Sequence, residues 1–343
     1  MSWVLLFLII CNSSGTFSIV AIDTATGELG IAVASKVFDV GYIVPWLKAG
    51  VGAVATQALA NPFLGPMILE AMANGHSAEE ALRLSLAQDS VSEERQVGVV
   101  DFKGNPAAFT GKNTLPWSGH KTGTGVSVQG NILVSATVID TMLKVFEQSS
   151  GPLGERLLKA LEAGDAAGGD KRGKQSAALI VVRRRGGYQG VDDRLIDLKI
   201  VDDAEPIKTL REKYEVWQYY FLAPAYLRLA QEEKDRAEIF FERCYYLLEK
   251  AIESEITDAQ VLNNLAWEFA LSKKYPEKTL QAAKRAHELA PEDANIMDTL
   301  AEAYYALGDC REAVYWEKEA LKREPQNAFF KKQLAKFKRG LKK

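Results

Sequence analysis

The predicted strands in the first part of the chain come in hairpin-sized clusters that alternate with pairs of helices. Residues 16–22 and 29–35 are apolar and β-branched runs on either side of the turn DTATGE, and residues 51–57 form a third run. Two helical patterns follow. Ser77 and Glu80 form a capping box at the start of the second. Further strands, two more helices and a closing hairpin complete the order. Strands joined by short turns pair antiparallel, so this order argues against a Rossmann-type parallel sheet.

This order of elements predicts an α+β domain in four layers, αββα. Two antiparallel sheets would stack face to face, with helices on both outer faces. The strand sequences support this interpretation because they are apolar at successive positions and do not alternate. Continuous apolar strands are typical of sheets that are covered on both faces. The hydrophobic content of 47% over 343 residues is sufficient to fill the cores of two domains.

From residue 205 onward the pattern is helical throughout and contains an internal repeat. Pro291 and Pro325 are 34 residues apart, and the segment NNLAWEFA is echoed by DTLAEAYYALGD. The period and the placement of small and bulky residues are typical of tetratricopeptide-like helical hairpins. Residues 215–254 carry a degenerate form of the pattern, so we expect about three hairpins. Such stacks bind proteins or peptides on their concave face, and we expect a partner of that kind.

The segment MSWVLLFLIICNSSG, which opens the chain, has the pattern of a leader. A short apolar core precedes small polar residues, with Ser13 and Gly15 at the spacing that signal peptidase favours. The apolar run is too short to span a bilayer. Removal of the leader would make the protein secreted or periplasmic; because the segment lacks a basic start, a cytoplasmic protein is the alternative. The predicted parts of the chain are a leader, an αββα domain and a helical repeat domain, at residues 1–15, 16–204 and 205–343.

Cleavage after Gly15 would make Thr16 the amino-terminal residue. A free terminal threonine carries a hydroxyl nucleophile and an amine that can act as its general base. The pKa of an unperturbed α-amino group is about 7.7 to 8.0, so the amine accepts a proton near neutral pH. The alternative interpretation is that Thr16 is simply the first residue of a strand, as threonines often are.

Several segments of the first domain resemble a known family. The segments TFSIVAIDTATGELGIAVASK, GVGAVATQALANP, VSVQGN, GKQSAALIVVR and GGYQGVDDRLIDLKI are similar to the domain of unknown function family 1028, which is assigned to the N-terminal nucleophile hydrolase superfamily. The resemblance implies an αββα catalytic fold in which the first residue attacks an amide. It implies no particular substrate. Superfamily architectures often self-associate, so a homo-oligomer is an open expectation.

The predicted catalytic residues are Thr16, Lys36 and Asn131. The mechanism needs a positive charge near the nucleophile. Lys36, at the end of the second strand, is favoured over Lys48, while a surface charge is the alternative for both. Ser35 and Lys36 point to opposite faces if the strand continues, so only one of them should face the site. Asn131 follows an apolar strand and is the favoured oxyanion donor.

Further polar residues near strand ends are predicted to bind substrate. Their alternative roles are turns, buried hydrogen-bonding groups or, at the closing hairpin, an ion pair. The predicted substrate-binding residues are Gln57, Asn61, Gln129, Gly130 and Asp193.

Composition argues against several other functions. Lysine and arginine number 42 against 45 acidic residues, a formal charge of -3, so binding to nucleic acid is not expected. The three histidines and three cysteines show no metal-ligand spacing, so we expect neither a metal nor a cofactor. Two hypotheses remain: a hydrolase of a small amide or peptide-like substrate, or a catalytically silent αββα domain that acts with the repeats as a protein-binding module.

Overall fold

The computed structural model describes residues 15–254 and 256–341. Two compact units make up the chain, one ending at Ile239 and the other beginning at Phe240. The predicted leader lies outside the described residues except for Gly15. No helix within the described ranges combines the length and the hydropathy needed to cross a bilayer.

Two antiparallel sheets form the centre of the first unit. One sheet has six strands in the order β10-β9-β2-β1-β8-β7, and the other has four in the order β3-β4-β5-β6. The strands of the described residues are β1 Thr16–Asp23, β2 Glu28–Ser35, β3 Pro45–Lys48, β4 Gly52–Ala58, β5 Arg95–Asp101, β6 Pro106–Thr110, β7 Gly119–Gly123, β8 Val126–Asn131, β9 Ser176–Val182 and β10 Arg194–Ile200.

Helices cover the outer face of each sheet. The helices of the first unit are α1 Val40–Ile43, α2 Leu64–Ala73, α3 Ala78–Leu86, α4 Thr137–Gln148, α5 Leu153–Ala166, α6 Pro206–Trp217 and α7 Ala223–Glu232. Helices α2 and α3 pack on the four-stranded sheet, and α4 and α5 pack on the six-stranded sheet. The sheets face each other through β1, β4, β5 and β8. The predicted four-layer αββα order is therefore confirmed.

Burial of both sheet faces explains the apolar strand sequences. Every residue of β1, β2 and β9 is buried. One apolar cluster fills the space between the sheets and includes Val20, Ile31 and Ala55. A second cluster lies between the four-stranded sheet and its helices and includes Ile68 and Val97. Each central strand thus packs against a core on both sides.

Helices α6 and α7 belong to the first compact unit, although the sequence pattern placed the start of the repeats at residue 205. Helix α6 packs on β9 and β10. It buries Ile207, Leu210 and Tyr214, the last two completely. A π-helical turn, Gln218–Leu222, joins α6 to α7. The segment at residues 215–231, which the sequence predicts to pair with residues 237–254 as a degenerate repeat, covers the end of α6, the π-helical turn and α7, and it is grouped with the sheets.

The second unit is helical. Its helices are α8 Ala237–Glu253, which begins just before the division, α9 Ala259–Ser272, α10 Pro276–Leu289, α11 Ala294–Leu307, α12 Cys310–Arg323 and α13 Ala328–Gly340. Asp258, Asp293 and Asn327 cap α9, α11 and α13 with their side chains. These caps recur with the period of the sequence repeat. Helices α9 and α10 form one hairpin and α11 and α12 another, which confirms a helical repeat region.

Candidate active site

Thr16 is the first residue of the central strand β1. Its Cα partners in the neighbouring strands are Ser35 at the end of β2 and Asn131 at the end of β8. Only 2% of Thr16 is exposed. The Thr16 Oγ1 atom lies 3.0 Å from the Ser35 Oγ atom, so the two hydroxyls form a hydrogen bond. The strand register therefore brings together one candidate nucleophile and one hydroxyl that can polarise it.

The carbonyl oxygen of Gly15 accepts two hydrogen bonds. One comes from the Ser35 hydroxyl, and the other from Arg172 Nη2 at 2.9 Å. A guanidinium and a hydroxyl that converge on one carbonyl oxygen draw electron density from its carbon. The nitrogen of Thr16 belongs to the same peptide bond, so the unbroken chain has no free amine at this residue.

Asp170 holds Arg172 in place beside Gly15. Its carboxylate is buried and lies 2.7 Å from Arg172 Nη2, and it also accepts a hydrogen bond of 3.0 Å from the backbone nitrogen of Lys36. A Cβ atom on Gly15 would lie 2.7 Å from the Asp170 carboxylate. Because that distance is far below van der Waals contact, the position favours glycine.

Buried amide side chains lie between the sheets below Thr16. Gln57 Nε2 donates to the Thr16 carbonyl at 3.3 Å and to Gln96 Oε1 at 2.9 Å. Asn131 Nδ2 donates to the same Gln96 oxygen at 3.0 Å. Gln96 Nε2 in turn donates to the Gly130 carbonyl at 2.8 Å. A network in which each amide has partners fixes the orientation of its members.

The Gln129 side chain lies deeper in the same layer. It is fully buried, and its Nε2 donates to Ser18 Oγ at 2.6 Å. Ser18 donates to Gln57 Oε1 at 2.7 Å, which links Gln129 to the amides near Thr16. Gly98 provides the space, because a Cβ atom there would overlap the Gln129 side chain.

Lys36 and Lys48 do not reach Thr16. The Lys36 side chain is exposed, and its Nζ donates to the carbonyl of Lys174 at 2.9 Å. Lys48 is an exposed residue at the end of β3 in the other sheet. The cation that the structure places beside the Gly15–Thr16 bond is Arg172.

The side chains of Asn61 and Asp193 form hydrogen bonds in loops and not with Thr16. Asn61 Nδ2 donates to Asp89 at 2.9 Å, and its oxygen accepts from the Phe63 nitrogen. Asp193 accepts from the Arg185 nitrogen at 2.9 Å in the loop before β10. That loop lies at the end of β9 remote from Ser35, about 20 Å along the strand. The structure does not bring Asp193 to Thr16.

A cavity of about 300 Å³ opens beside Asn131. We call it the edge cavity, because its walls are strand ends and the loop before β7. Its polar walls include Glu94, Asn113 and Asn131, and its apolar walls include Leu59, Leu115 and Ile132. Asn131, which lines this cavity, is the Cα partner of Thr16 in the β1–β8 ladder. Among the described residues, no cluster of three histidine, cysteine or acidic side chains has metal-binding geometry.

Comparison with known proteins places the first unit in a family. The sequence model of the "Family of unknown function (DUF1028)" matches residues 16–210, more than half of the chain. The chain belongs to this family. The DUF1028 protein SPO2555 from Silicibacter pomeroyi shares 32% sequence identity with this chain, and its crystal structure superposes with a TM-score of 0.55. The match covers 60% of this chain and 86% of the Silicibacter protein.

Residues 242–334, which follow the DUF1028 domain, match a different model, described as "ChAPs (Chs5p-Arf1p-binding proteins)". This match lies within the helical repeat region. No curated protein matches the chain.

The sequence pattern missed several residues of this candidate site. Ser35 was set aside in favour of its neighbour Lys36 on the basis of charge. Arg172 and Asp170 come from the connection between α5 and β9, in which the sequence pattern predicts no site residue. Gln96 lies at the start of β5, where an amide could have been recognised as a buried hydrogen-bonding group. The sequence alone does not show that the side chains of Ser35, Asp170 and Arg172 lie together at Gly15.

Proposed function

We propose that the protein hydrolyses amide bonds with Thr16 as an amino-terminal nucleophile. The observation that supports this most directly is the arrangement at the Gly15–Thr16 bond, where one hydroxyl and one guanidinium bind the carbonyl oxygen. The Thr16 hydroxyl is bonded to the same Ser35. Cleavage of the Gly15–Thr16 peptide bond would give Thr16 a free amine and leave the Ser35 hydroxyl and the Arg172 guanidinium beside it.

The proposed reaction has two stages. The freed amine of Thr16 accepts the proton of Oγ1 as this oxygen attacks the amide carbon of the substrate. The resulting oxyanion accepts hydrogen bonds, and its collapse expels the amine product, which takes the proton from the ammonium of Thr16. Water then attacks the ester on Oγ1, and the acyl group leaves as a carboxylic acid.

Three groups are candidates to stabilise the oxyanion. The Ser35 hydroxyl and Arg172 already bind a carbonyl oxygen. Asn131 has one amide hydrogen bonded to Gln96, and its second hydrogen is available for a substrate because no other bond of this side chain is found among the described residues. Preorganised donors of this type typically contribute a factor of about 100 to 1000 in rate.

Cleavage after Gly15 is part of the proposal. The polarised Gly15 carbonyl and the adjacent Thr16 hydroxyl support participation of the domain's own groups in that cut. If the segment ahead of Thr16 is also an export signal, the mature protein would be secreted or periplasmic. The four-layer αββα order supports the proposal further, since the resemblance to N-terminal nucleophile hydrolases implies that order.

We propose that the second unit binds a protein or peptide partner. The helical hairpins and the match to proteins described as Chs5p-Arf1p-binding support such a role. One observation favours the alternative in which the first unit is catalytically silent: in the uncut chain Thr16 is buried and has no free amine. The state of the Gly15–Thr16 bond in the native protein separates the two functions.

Intact-mass measurement of protein purified from its native source tests the proposal. We expect a chain that begins at Thr16. Turnover of a panel of fluorogenic aminoacyl amides should be lost in Thr16→Ala and retained at a reduced rate in Thr16→Ser, which keeps the hydroxyl. An uncut native chain, or a Thr16→Ala variant with full turnover, would rule out this mechanism. Light scattering of the same material would determine whether it is a homo-oligomer.

A further inference from the structure

An acidic side chain without a partner lines the edge cavity. Glu94 is half-buried, and within residues 15–254 and 256–341 its carboxylate forms no hydrogen bond or ion pair. The side-chain amide of Asn113, another residue of the cavity wall, is likewise unbonded within the described ranges. A charged group at the wall of a cavity is stabilised when a ligand of opposite charge binds there.

The nearest sequence neighbour of Glu94 does not neutralise it. Arg95 is bound to Asp89, with Nε 2.8 Å from Oδ2, and this hydrogen bond lowers the pKa of Asp89 to about 2. Arg95 also donates to the carbonyl of Leu59, another wall residue. The Arg95 charge is therefore matched by Asp89, and the cavity keeps one unmatched negative charge from Glu94.

The other walls define the shape of the ligand. Leu59, Leu115 and Ile132 offer an apolar surface, while Asn131 connects the cavity to Thr16. The volume of about 300 Å³ is at the lower end for small-molecule sites. A ligand that fits would be small, with an aliphatic part and a cationic group.

We propose that the edge cavity is the substrate site and that it selects amides that carry a free ammonium group, such as amino-acid amides. Glu94 binds the ammonium group, and Asn113 accepts or donates a further hydrogen bond. The apolar walls contact an aliphatic side chain, and Asn131 lies next to the amide that Thr16 attacks. This inference rests on the proposed function for its chemistry but not for the binding event.

A binding measurement with matched probes tests the inference separately from catalysis. The full chain carrying Thr16→Ala cannot use the proposed nucleophile, and the edge cavity is open with Gly15 in place. L-leucine amide and N-acetyl-L-leucine amide differ in the presence of the ammonium group. We expect the charged amide to bind about tenfold more tightly by calorimetry or ligand-observed NMR, as is typical of a charge-assisted hydrogen bond.

Two further variants assign the preference to Glu94. Glu94→Gln should bind the two amides equally, whereas Glu79→Gln, a change of an exposed acid on α3, should retain the preference. Thermal melting would confirm that both variants are folded. Equal binding by the Thr16→Ala chain, no binding of either amide, or a preference that survives Glu94→Gln would each contradict the inference. Failure of hydrolysis with the preference intact would instead contradict only the proposed function.

Discussion

At the scale of single residues, Arg172 and Ser35 are the groups that act on the Gly15 carbonyl. We expect Arg172→Ala and Ser35→Ala each to slow the release of the segment ahead of Thr16 by about tenfold or more, because each removes one donor from the carbonyl oxygen. Lys36→Ala is the matched control, since the Lys36 ammonium binds the Lys174 carbonyl and not Gly15. Mass spectrometry of the purified variants over time measures the release.

Two outcomes would contradict this role. One is cleavage of the Ser35→Ala and Arg172→Ala chains at the normal rate. The other is a loss of cleavage in Lys36→Ala equal to that in Arg172→Ala. Ser35→Ala is the more informative variant, because removal of Arg172 leaves the buried Asp170 carboxylate without its cation, which can destabilise the domain.

The choice between Ser35 and Lys36 illustrates what a sequence pattern can establish at this scale. Alternation along a strand correctly implied that neighbours point to opposite faces. It did not say which face lies toward Thr16, because that depends on how β2 sits between β1 and β9. Sequence placed Asn131 and Gln57 at strand ends, and the structure brings both near Thr16. Arg172 could not be found this way, since its partner is a backbone carbonyl 157 residues away.

At the scale of elements, we expect Glu317 of helix α12 to make the stability of the repeat region depend on pH. The side chain is completely buried beside Asp298 of α11, while Glu302 on the same helix is bound to Lys336 of α13. Burial raises the pKa of Glu317 well above the usual carboxyl range, and the negative charge of Asp298 raises it further. Burial also raises the pKa of Asp298. The helices therefore hold an uncharged carboxyl group between them.

The sign of the effect follows from the raised pKa. The unfolded chain releases the Glu317 proton near pH 4, whereas the folded chain retains it, so the free energy of unfolding falls as pH rises above about 4. We expect Glu317→Gln to reduce this slope and to stabilise the folded state at pH 8 by about 1 kcal/mol or more. Urea unfolding at several pH values, followed by helical circular dichroism, measures both effects. Glu312→Gln, at an exposed position of the same helix, should leave the slope unchanged; an unchanged slope in Glu317→Gln would contradict the assignment.

The elements themselves were predicted unevenly. Apolar β-branched runs identified β1, β2, β4, β5, β8 and β9, because nearly every residue of these strands is buried. Strand β10, at a sheet edge with Arg194 and Lys199 exposed, was predicted as part of the closing hairpin. Strands β3 and β7 were missed: PWLK and GHKTG lie at sheet edges, are partly exposed and lack that composition. Helix α3 was easier to identify, since the Ser77 cap of the predicted capping box directly precedes its first residue.

At the scale of the whole molecule, the two compact units make truncation informative. A chain that ends at residue 239 should keep the amide hydrolysis of the full chain within about twofold, because every candidate site residue precedes that point. A chain that ends at residue 204 should be far less stable. It loses Ile207, Leu210 and Tyr214, and burial of each such side chain contributes about 1.5 to 3 kcal/mol.

Melting temperatures and rates of the two truncated chains, measured beside the full chain, test this prediction. Equal stability of the chains ending at 204 and 239 would mean that α6 adds nothing to the first unit. Sequence periodicity alone could not have separated α6 from the repeats, because both are amphipathic helices. Only the surface that α6 covers, on β9 and β10, distinguishes them.

The central position of β1 has a consequence for the proposed mature protein. Chain ends usually fray, because few contacts restrain their first residues. An end created before Thr16 would be restrained from its first residue, with β2 on one side and β8 on the other. The amine of Thr16 would thus lose little conformational entropy when the reaction begins, and no mobile loop would be required to position it.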